Sequence, residues 1–302
     1  MKAGIIVPQG WTGEYAGVEP AEAWRRTVAA AQRAEQLGFD SLWLFDHMHT
    51  VPKPGLGLSF EPFVALSALA GVTSRATLGH IVLCAAYRNP ALVAKMIATL
   101  DVISGGRVEC GLGAGWKREE WLAYGYEFPE TRERLRHLED TLRIVTAMLH
   151  DAAAGTLPGV TAEGPSASIH GAMNDPMPLQ RHVPIMVGGN GRQVTWRLAA
   201  EYADELNVDG MSPKEWLEAK PDLLRRCEEA GRDPSTLRIS VHIWWGDLEA
   251  AKSVRDLVRG YVDAGVDRVI TLVRGAAVSP DALDAFATEC QAAGVVLDVP
   301  PG

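Results

Sequence analysis

Short apolar runs alternate with helix-period patterns along this chain, and the alternation constrains the fold more than any single motif. The runs are Ala3–Val7, Ser41–Phe45, Ala76–Cys84, Arg107–Gly111, Val183–Val187, Glu205–Val208, Leu237–Ile243 and Arg268–Val273. The helical stretches are Pro20–Leu37, Pro62–Val72, Pro90 to about Ile103, Arg132–Leu149, Arg192–Ala203, Pro213–Ala230, Leu248–Ala264 and Pro280–Ala293. In Arg132–Leu149 the stripe Leu135, Leu138, Leu142, Val145 and Leu149 marks the face to be buried. Gly38 stands where the first helix should end. Strict alternation implies crossover connections and a parallel sheet, and eight strands are what close a barrel. A doubly wound sheet would place G-x-G-x-x-G directly after the first strand, where this chain has VPQGWTG. The expected fold is therefore α/β: a (β/α)8 TIM barrel forming a single domain over residues 1–302.

The pattern lapses at about residues 150–182, which are rich in Gly, Pro and Ala with no sustained period. We expect an irregular insertion there, between the fourth helix and the fifth strand, of the kind that serves as a lid, a binding loop or a flexible segment.

A length of 302 residues suits one α/β barrel. The net charge of -9 and pI near 5.4 repel phosphate at long range, which argues against nucleic-acid and anionic-membrane partners. An anionic cofactor would need local backbone amides or a few local cations. Cys84, Cys110, Cys227 and Cys290 form no C-x-x-C pair, and no histidine cluster has zinc spacing, so no metal site is expected. Reduced, buried thiols are the expectation. The N-terminal MKAGIIVPQG has too short an apolar run for a signal peptide, and no apolar stretch is long enough to span a membrane. A cytoplasmic protein acting on a small molecule is expected.

In such a barrel the loops after the strands carry the chemistry. They begin near Pro8–Trp11, Asp46–His49, Ala85–Asn89, Gly113–Trp116, Gly188–Gly191, Asp209, Trp244–Gly246 and Arg274. His47 at a strand end suits a proton donor or acceptor near neutral pH, with Asp46 setting its tautomer; equally, the pair could only cap the strand. Gly188-Gly189-Asn190-Gly191 before a helix suits a phosphate on free N–H groups, or an ordinary βα turn. The small residues of Gly111–Trp116 leave space for a flat ring, or pack a barrel corner. LGHIVLCAAYRNP (78–90) is long enough to hold a bulge that re-aims backbone groups. Within it, Arg88 is expected in a surface salt bridge and Cys84 as a small core residue. Trp11, Trp116 and Trp244 are expected to wall an apolar substrate pocket, and Trp43 and Trp196 to pack the core. No Lys or Glu is seen at a suitable strand end, which disfavours a phosphosugar isomerase.

Four segments together carry a family resemblance: GFDSLWLFDH (38–47), RNPALVAKMIATLDVISGGRV (88–108), GLGAGWKREEWLAYGYEFP (111–129) and PIMVGGNGRQVTWRLAAEYAD (184–204). They resemble the luciferase-like monooxygenase superfamily over about residues 3–245, and within it the coenzyme F420-dependent oxidoreductases. The resemblance implies a bulge with a non-prolyl cis peptide at Ile81–Val82, supporting one face of the cofactor ring. It places Asp46 and His47 near that ring and Gly113 and Ala114 beside it, with Cys84 in the same wall. It puts the cofactor phosphate on the backbone of Gly188, Gly189 and Asn190, and it implies a homodimer. Ala114 stands where FMN-binding luciferases carry an arginine, which favours F420 over FMN. Trp116 stands where sugar-phosphate dehydrogenases carry a glutamate, so glucose 6-phosphate is not expected and a less charged substrate is. The expected function is hydride transfer between F420 and a small organic substrate, with His47 as proton donor or acceptor. The alternatives are a two-component FMN monooxygenase using O2 and a non-catalytic flavin-binding protein.

Overall fold

Eight parallel strands close on themselves in the computed structural model, which describes residues 1–51 and 57–299. Residues 52–56 and 300–302 of the expected domain lie outside the described residues. In chain order the strands are β1 Lys2–Ile6, β2 Ser41–Leu44, β3 Thr77–His80, β4 Val108–Gly113, β5 Ile185–Gly188, β6 Glu205–Asp209, β7 Arg238–Ile243 and β8 Arg268–Thr271. Each pairs with its sequence neighbours, and Lys2 opposite Arg268 closes the ring. The main helices are α1 Pro20–Gln36, α2 Pro62–Ala70, α3 Pro90–Ser104, α4 Thr131–His150, α5 Thr195–Tyr202, α6 Pro213–Glu229, α7 Val254–Asp263 and α8 Ala282–Ala292.

Local chemistry sets the helix ends. Pro90 opens α3 behind Asn89, whose side chain accepts from Ala91 N at 2.9 Å and Leu92 N at 3.3 Å. Ser212 and Glu215 form a capping box at the start of α6. Gly38 follows α1 with φ +85°, a conformation other side chains resist.

Inside the barrel lies a separate core that includes Ile6, Trp43, Phe45, Ile81, Met186 and Ile270. Trp43 crosses the interior because two neighbouring strands leave room for it. A Cβ on Gly79 would sit 2.4 Å from its ring, and one on Gly4 would sit 2.8 Å from its indole nitrogen. Burying a side chain of this size stabilises the fold by roughly 3 kcal/mol. Trp196, also expected in the core, is fully buried outside the barrel.

The third strand is interrupted as the resemblance implied. After His80 the Ile81–Val82 peptide is cis, and pairing resumes at Leu83 opposite Leu112 and Cys84 opposite Gly113. The adjoining glycines accommodate this bulge. A Cβ on Gly111 would meet the His80 carbonyl at 2.1 Å, and Cβ atoms on Gly113 and Gly188 would meet Val82 at 2.6 and 2.9 Å.

Three expectations are corrected. The segment between α4 and β5 is not irregular: it holds a 3-10 turn, Ala152–Gly155, and an antiparallel pair, Val160–Ala162 with Ile169–Ala172. Asp140 accepts from Ser166 N (2.7 Å), Asn174 donates to the Met148 carbonyl (2.8 Å), and Gln180 donates to Asp101 (2.7 Å) and the Val108 carbonyl (2.9 Å). Val108 opens β4, so the segment is tied to the end of the barrel opposite the strand-end loops. The stretch expected as one helix over Leu248–Ala264 is split, because Ser253 caps α7 after a short helix, Trp245–Ala250. A further short helix, Arg118–Ala123, follows β4 where a loop was expected.

Candidate active site

The C-terminal ends of β1–β7 surround a cavity of about 390 Å³. It brings together Trp11, Asp46, His47, Ile81, Val82, Cys84, Gly113, Ala114, Trp116, Gly188, Gly189, Asn190 and Trp244, the residues expected from the sequence to hold the cofactor, wall the substrate or carry the chemistry.

His47 is held from both sides. The Gln9 side chain donates to the Phe45 carbonyl (3.0 Å) and accepts from Phe45 N (3.0 Å), fixing the end of β2 against the first loop. Trp11, carried on that loop, stacks on the imidazole with ring centres 4.4 Å apart and planes 4° apart. On the other side Nδ1 of His47 lies 2.6 Å from Oε2 of Glu120, on the unexpected short helix. Glu120 is fully buried and also accepts from Met48 N (2.7 Å), His49 N (3.2 Å) and the Tyr87 hydroxyl (3.0 Å). Burial alone would raise its carboxyl, but the bond to His47 and the backbone donors overcome it and hold the group down at about 2. An ionised Glu120 can only accept at this contact, so Nδ1 carries the hydrogen and Nε2 is left as the other ring nitrogen.

This corrects the role expected of Asp46. Its carboxylate accepts from Cys84 N (2.8 Å) and, bidentately, from Arg88 (2.9 and 3.0 Å), so it braces the exit of the bulge and not the imidazole. Arg88 correspondingly forms a largely enclosed pair instead of a surface one; it also reaches Glu61 at 3.0 Å and covers the Phe63 ring at 4.9 Å. Cys84 is a wall residue whose thiol is pushed up to about 12, chiefly by burial.

At the glycine corner, Gly189 has φ +133° and donates to the Asn207 carbonyl at 2.9 Å. Asn190 spends its side chain on Asp209, donating to its carbonyl (2.7 Å) and accepting from its N–H (2.9 Å). The N–H groups of Asn190, Gly191 and Arg192, ahead of α5, have no acceptor among the described residues. The Gly189 amide, expected to meet a phosphate, is thus already spent on Asn207, and the free donors of this corner are those of Asn190, Gly191 and Arg192.

Two of the expected wall residues differ in character. Trp11 is buried, whereas Trp116 is 59% exposed and meets His47 edge-on at 5.8 Å. Trp244 leans between Trp11 (6.3 Å) and His242 (5.0 Å).

Glu120, Lys117 and His242 escaped the sequence reading. Glu120 and Lys117 follow β4 directly and line or support the cavity, which removes the statement that no Lys or Glu stands at a strand end. Nothing local marks Glu120, one of two adjacent acids on a single-turn helix. His242 did have a signal, since it shares strand parity with inward-facing Ser240. Its Nδ1 lies 2.9 Å from Asp209, and its buried Nε2 has no partner among the described residues.

Comparison with known proteins agrees with this architecture. A family model described as luciferase-like monooxygenase matches residues 1–264. An F420-dependent glucose-6-phosphate dehydrogenase of Microbacterium testaceum is 34% identical over 218 residues, 69% of this chain and 62% of that protein. The chain spans less than two thirds of the length of the first curated relatives it matches, 65% for an uncharacterized protein of Mycobacterium bovis. Among solved structures, an F420-dependent secondary alcohol dehydrogenase in complex with an F420–acetone adduct superposes with TM-score 0.77 at 19% identity, covering 97% of this chain and 98% of that one. A riboflavin lyase with modified FMN and riboflavin superposes with TM-score 0.78 at 14% identity, covering 100% and 94%. At these identities the two superpositions speak to the fold alone. The closed barrel and the family match over most of its length lead to one conclusion: this chain belongs to the luciferase-like monooxygenase family.

Proposed function

We propose that this protein is a coenzyme F420-dependent oxidoreductase that transfers a hydride between the deazaflavin and a small organic substrate. The observation that carries the reading is the His47–Glu120 pair on the wall of a cavity floored by the Ile81–Val82 bulge.

The residues fit the cofactor. The bulge, Cys84 and the small residues Gly113 and Ala114 line the same cavity and leave room for a ring, and the free amides of Asn190–Arg192 offer donors for a phosphate. Ala114 leaves no arginine in the β4 turn for an FMN phosphate, and the relative at 34% identity is described as F420-dependent. When bound, the deazaflavin supplies the hydride carrier.

The chain's own groups handle the proton. Glu120 keeps Nδ1–H of His47 engaged, so Nε2 gives a proton to a carbonyl oxygen being reduced or takes one from an alcohol being oxidised. Ionised Glu120 steadies the imidazolium in either direction, and the Trp11 stack fixes the ring plane and keeps water off that face. Trp11, Trp116 and Trp244 wall the substrate side.

The same reading takes the chain as one barrel domain acting in the cytoplasm; all four cysteines are free and buried, and no described helix is long and apolar enough to cross a membrane. It includes a homodimer, supported by the exposed apolar Val64 on α2 and Leu92 and Ile103 on α3.

Titrating the purified protein with F420 and with FMN, followed by absorbance, tests the reading. Saturable F420 binding is expected; saturable binding of FMN alone would overturn it in favour of a flavin-dependent monooxygenase. Tight binding with no turnover across a panel of alcohols, aldehydes and ketones would point to a flavin-binding protein instead.

A further inference from the structure

Lys117 follows Trp116 between β4 and the short helix that carries Glu120. It is only 5% exposed and lines the cavity. Among the described residues it has no carboxylate within 4 Å, and its ammonium donates no hydrogen bond; its nearest recorded contact is the face of the Trp116 indole, 5.3 Å from Nζ. In a chain with 38 acidic and 29 basic residues this is out of character. The other enclosed cations are paired, Arg268 with Glu109 and Glu205, and Arg88 with Asp46 and Glu61. The Lys117 stem is buried, but the ammonium opens on the cavity with no counter-charge beside it, which makes it a ready place for an anion that arrives with a ligand.

We infer that Lys117 binds an anionic group of the substrate, a carboxylate or a phosphate, on the side of its ammonium that opens on the cavity, beside the Trp116 indole. The position favours the substrate over the cofactor as the source of that anion. Lys117 Nζ and the His47 ring lie against the same indole, at 5.3 and 5.8 Å. A short molecule with its carbonyl or alcohol oxygen at Nε2 of His47 can carry its charged end to Lys117. The backbone cradle at Asn190–Arg192 is a second, separate place for an anion and leaves the lysine free for this one. The assignment rests on the proposed function, in that it takes the cavity as the substrate pocket. It replaces the less charged substrate that Trp116 implied with an anionic one, for which the indole holds the ammonium by cation–π contact and the lysine is a positioning and specificity residue.

The test uses the whole chain with 15N-labelled tryptophan, the Trp116 indole signal being identified as the one missing from Trp116→Phe. Inorganic phosphate and acetate are titrated at constant ionic strength, first without cofactor and then with F420 bound, its occupancy followed by its own absorbance. The expected result is a saturable shift of the Trp116 signal in the wild type and in Lys117→Arg. In Lys117→Met the apparent affinity falls at least tenfold, and in the wild type the response persists with F420 bound. An equal response in Lys117→Met, or none in the wild type to either anion, overturns the inference. So does a response abolished by F420 when F420 alone moves the Trp116 signal only if Lys117 is present, because the anion would then be the cofactor's. Should F420 fail to bind at all, the proposed cofactor falls while the cofactor-free titration still decides Lys117.

Discussion

At the N-terminal end of the barrel, Arg268 donates to Glu109 at 2.6 and 2.9 Å and to Glu205, with Asp40 at 3.3 Å and Thr77 donating to Glu109 at 2.7 Å. Its guanidinium also lies over the Trp43 ring at 5.1 Å. At the C-terminal end, Lys117 has no counter-ion, and the buried Nε2 of His242 and Nε1 of Trp11 have no partner among the described residues. Both ends bury charged and polar side chains. One end pairs its charged groups internally and the other leaves a charge unpaired. At the closed end burial would raise the Glu109 carboxyl, yet Arg268 brings it to about 2, while burial and the neighbouring Glu109 push Glu205 up. Such a network fixes a barrel end but has nothing left to offer a ligand. Open valences cost stability and persist where a ligand completes them.

The contrast breaks most visibly if the closed network is opened. Arg268→Leu leaves Glu109 and Glu205 buried without their cation and should cost ~3–5 kcal/mol in denaturant unfolding. Cofactor affinity per folded molecule should change less than about twofold, since the network lies beyond Trp43 from the cavity. A stability loss below about 1 kcal/mol would show that the network is not what holds that end.

At the open end, His47→Gln should lower turnover by about 10²–10⁴-fold while leaving cofactor affinity nearly intact. Glu120→Gln should fall in the same range and also narrow the pH range of turnover, because a neutral amide no longer steadies the imidazolium. Steady-state kinetics across pH separates the two, and an unchanged rate in His47→Gln removes the proton role.

A third group lies between the two ends. His80 is fully buried at the end of β3, against Phe63 at 4.5 Å, and its ring nitrogens make no well-formed hydrogen bond, the Pro62 backbone being only a weak partner. Burial, then Arg88, lowers it from 6.5 to about 3. The fold therefore holds it neutral while the unfolded chain takes up a proton. Its contribution is complete above pH 6.5 and is lost as pH falls from 6.5 towards 3, at up to ~1.4 kcal/mol per pH unit. Glu120, titrating at about 2 in the fold against 4.5, adds a loss between pH 4.5 and 2. Unfolding measured between pH 6.5 and 4.5 should be flatter in His80→Leu by that first slope; an unchanged slope would refute the neutral buried imidazole.

The smallest effect is expected at Cys84. With its thiol at about 12, iodoacetamide at pH 7.5 should neither label it in the native protein nor lower activity, whereas denaturant should expose all four thiols.

The barrel was legible because its signal is periodic and local: each strand–helix unit announces itself by period and by its caps, and most helix boundaries fall within three residues of expectation. The α4–β5 segment was not, since its order comes from distant partners such as Asp101, Met148 and Val108 and not from a repeat. In the site, the location of His47 was legible from topology, but its partner was not. Asp46 and His47 are adjacent where the chain leaves β2, yet their side chains meet different partners, Arg88 and Glu120, so sequence adjacency pointed to the wrong carboxylate. The right one, Glu120, arrives from 73 residues away. His242 shows the converse: strand parity was available, and attention to loops alone passed over it.

The single carboxylate of Glu120 gathers His47, Met48 and His49 from the loop after β2 and Tyr87 from the loop after β3. Those loops consequently lack independent lives. Whatever pulls one away breaks the shared anchor and frees the others, so the amides of Met48 and His49 should exchange with solvent at one common rate. The imidazole of His47 is then correctly aimed only in the fraction of time when three stretches of chain are assembled together.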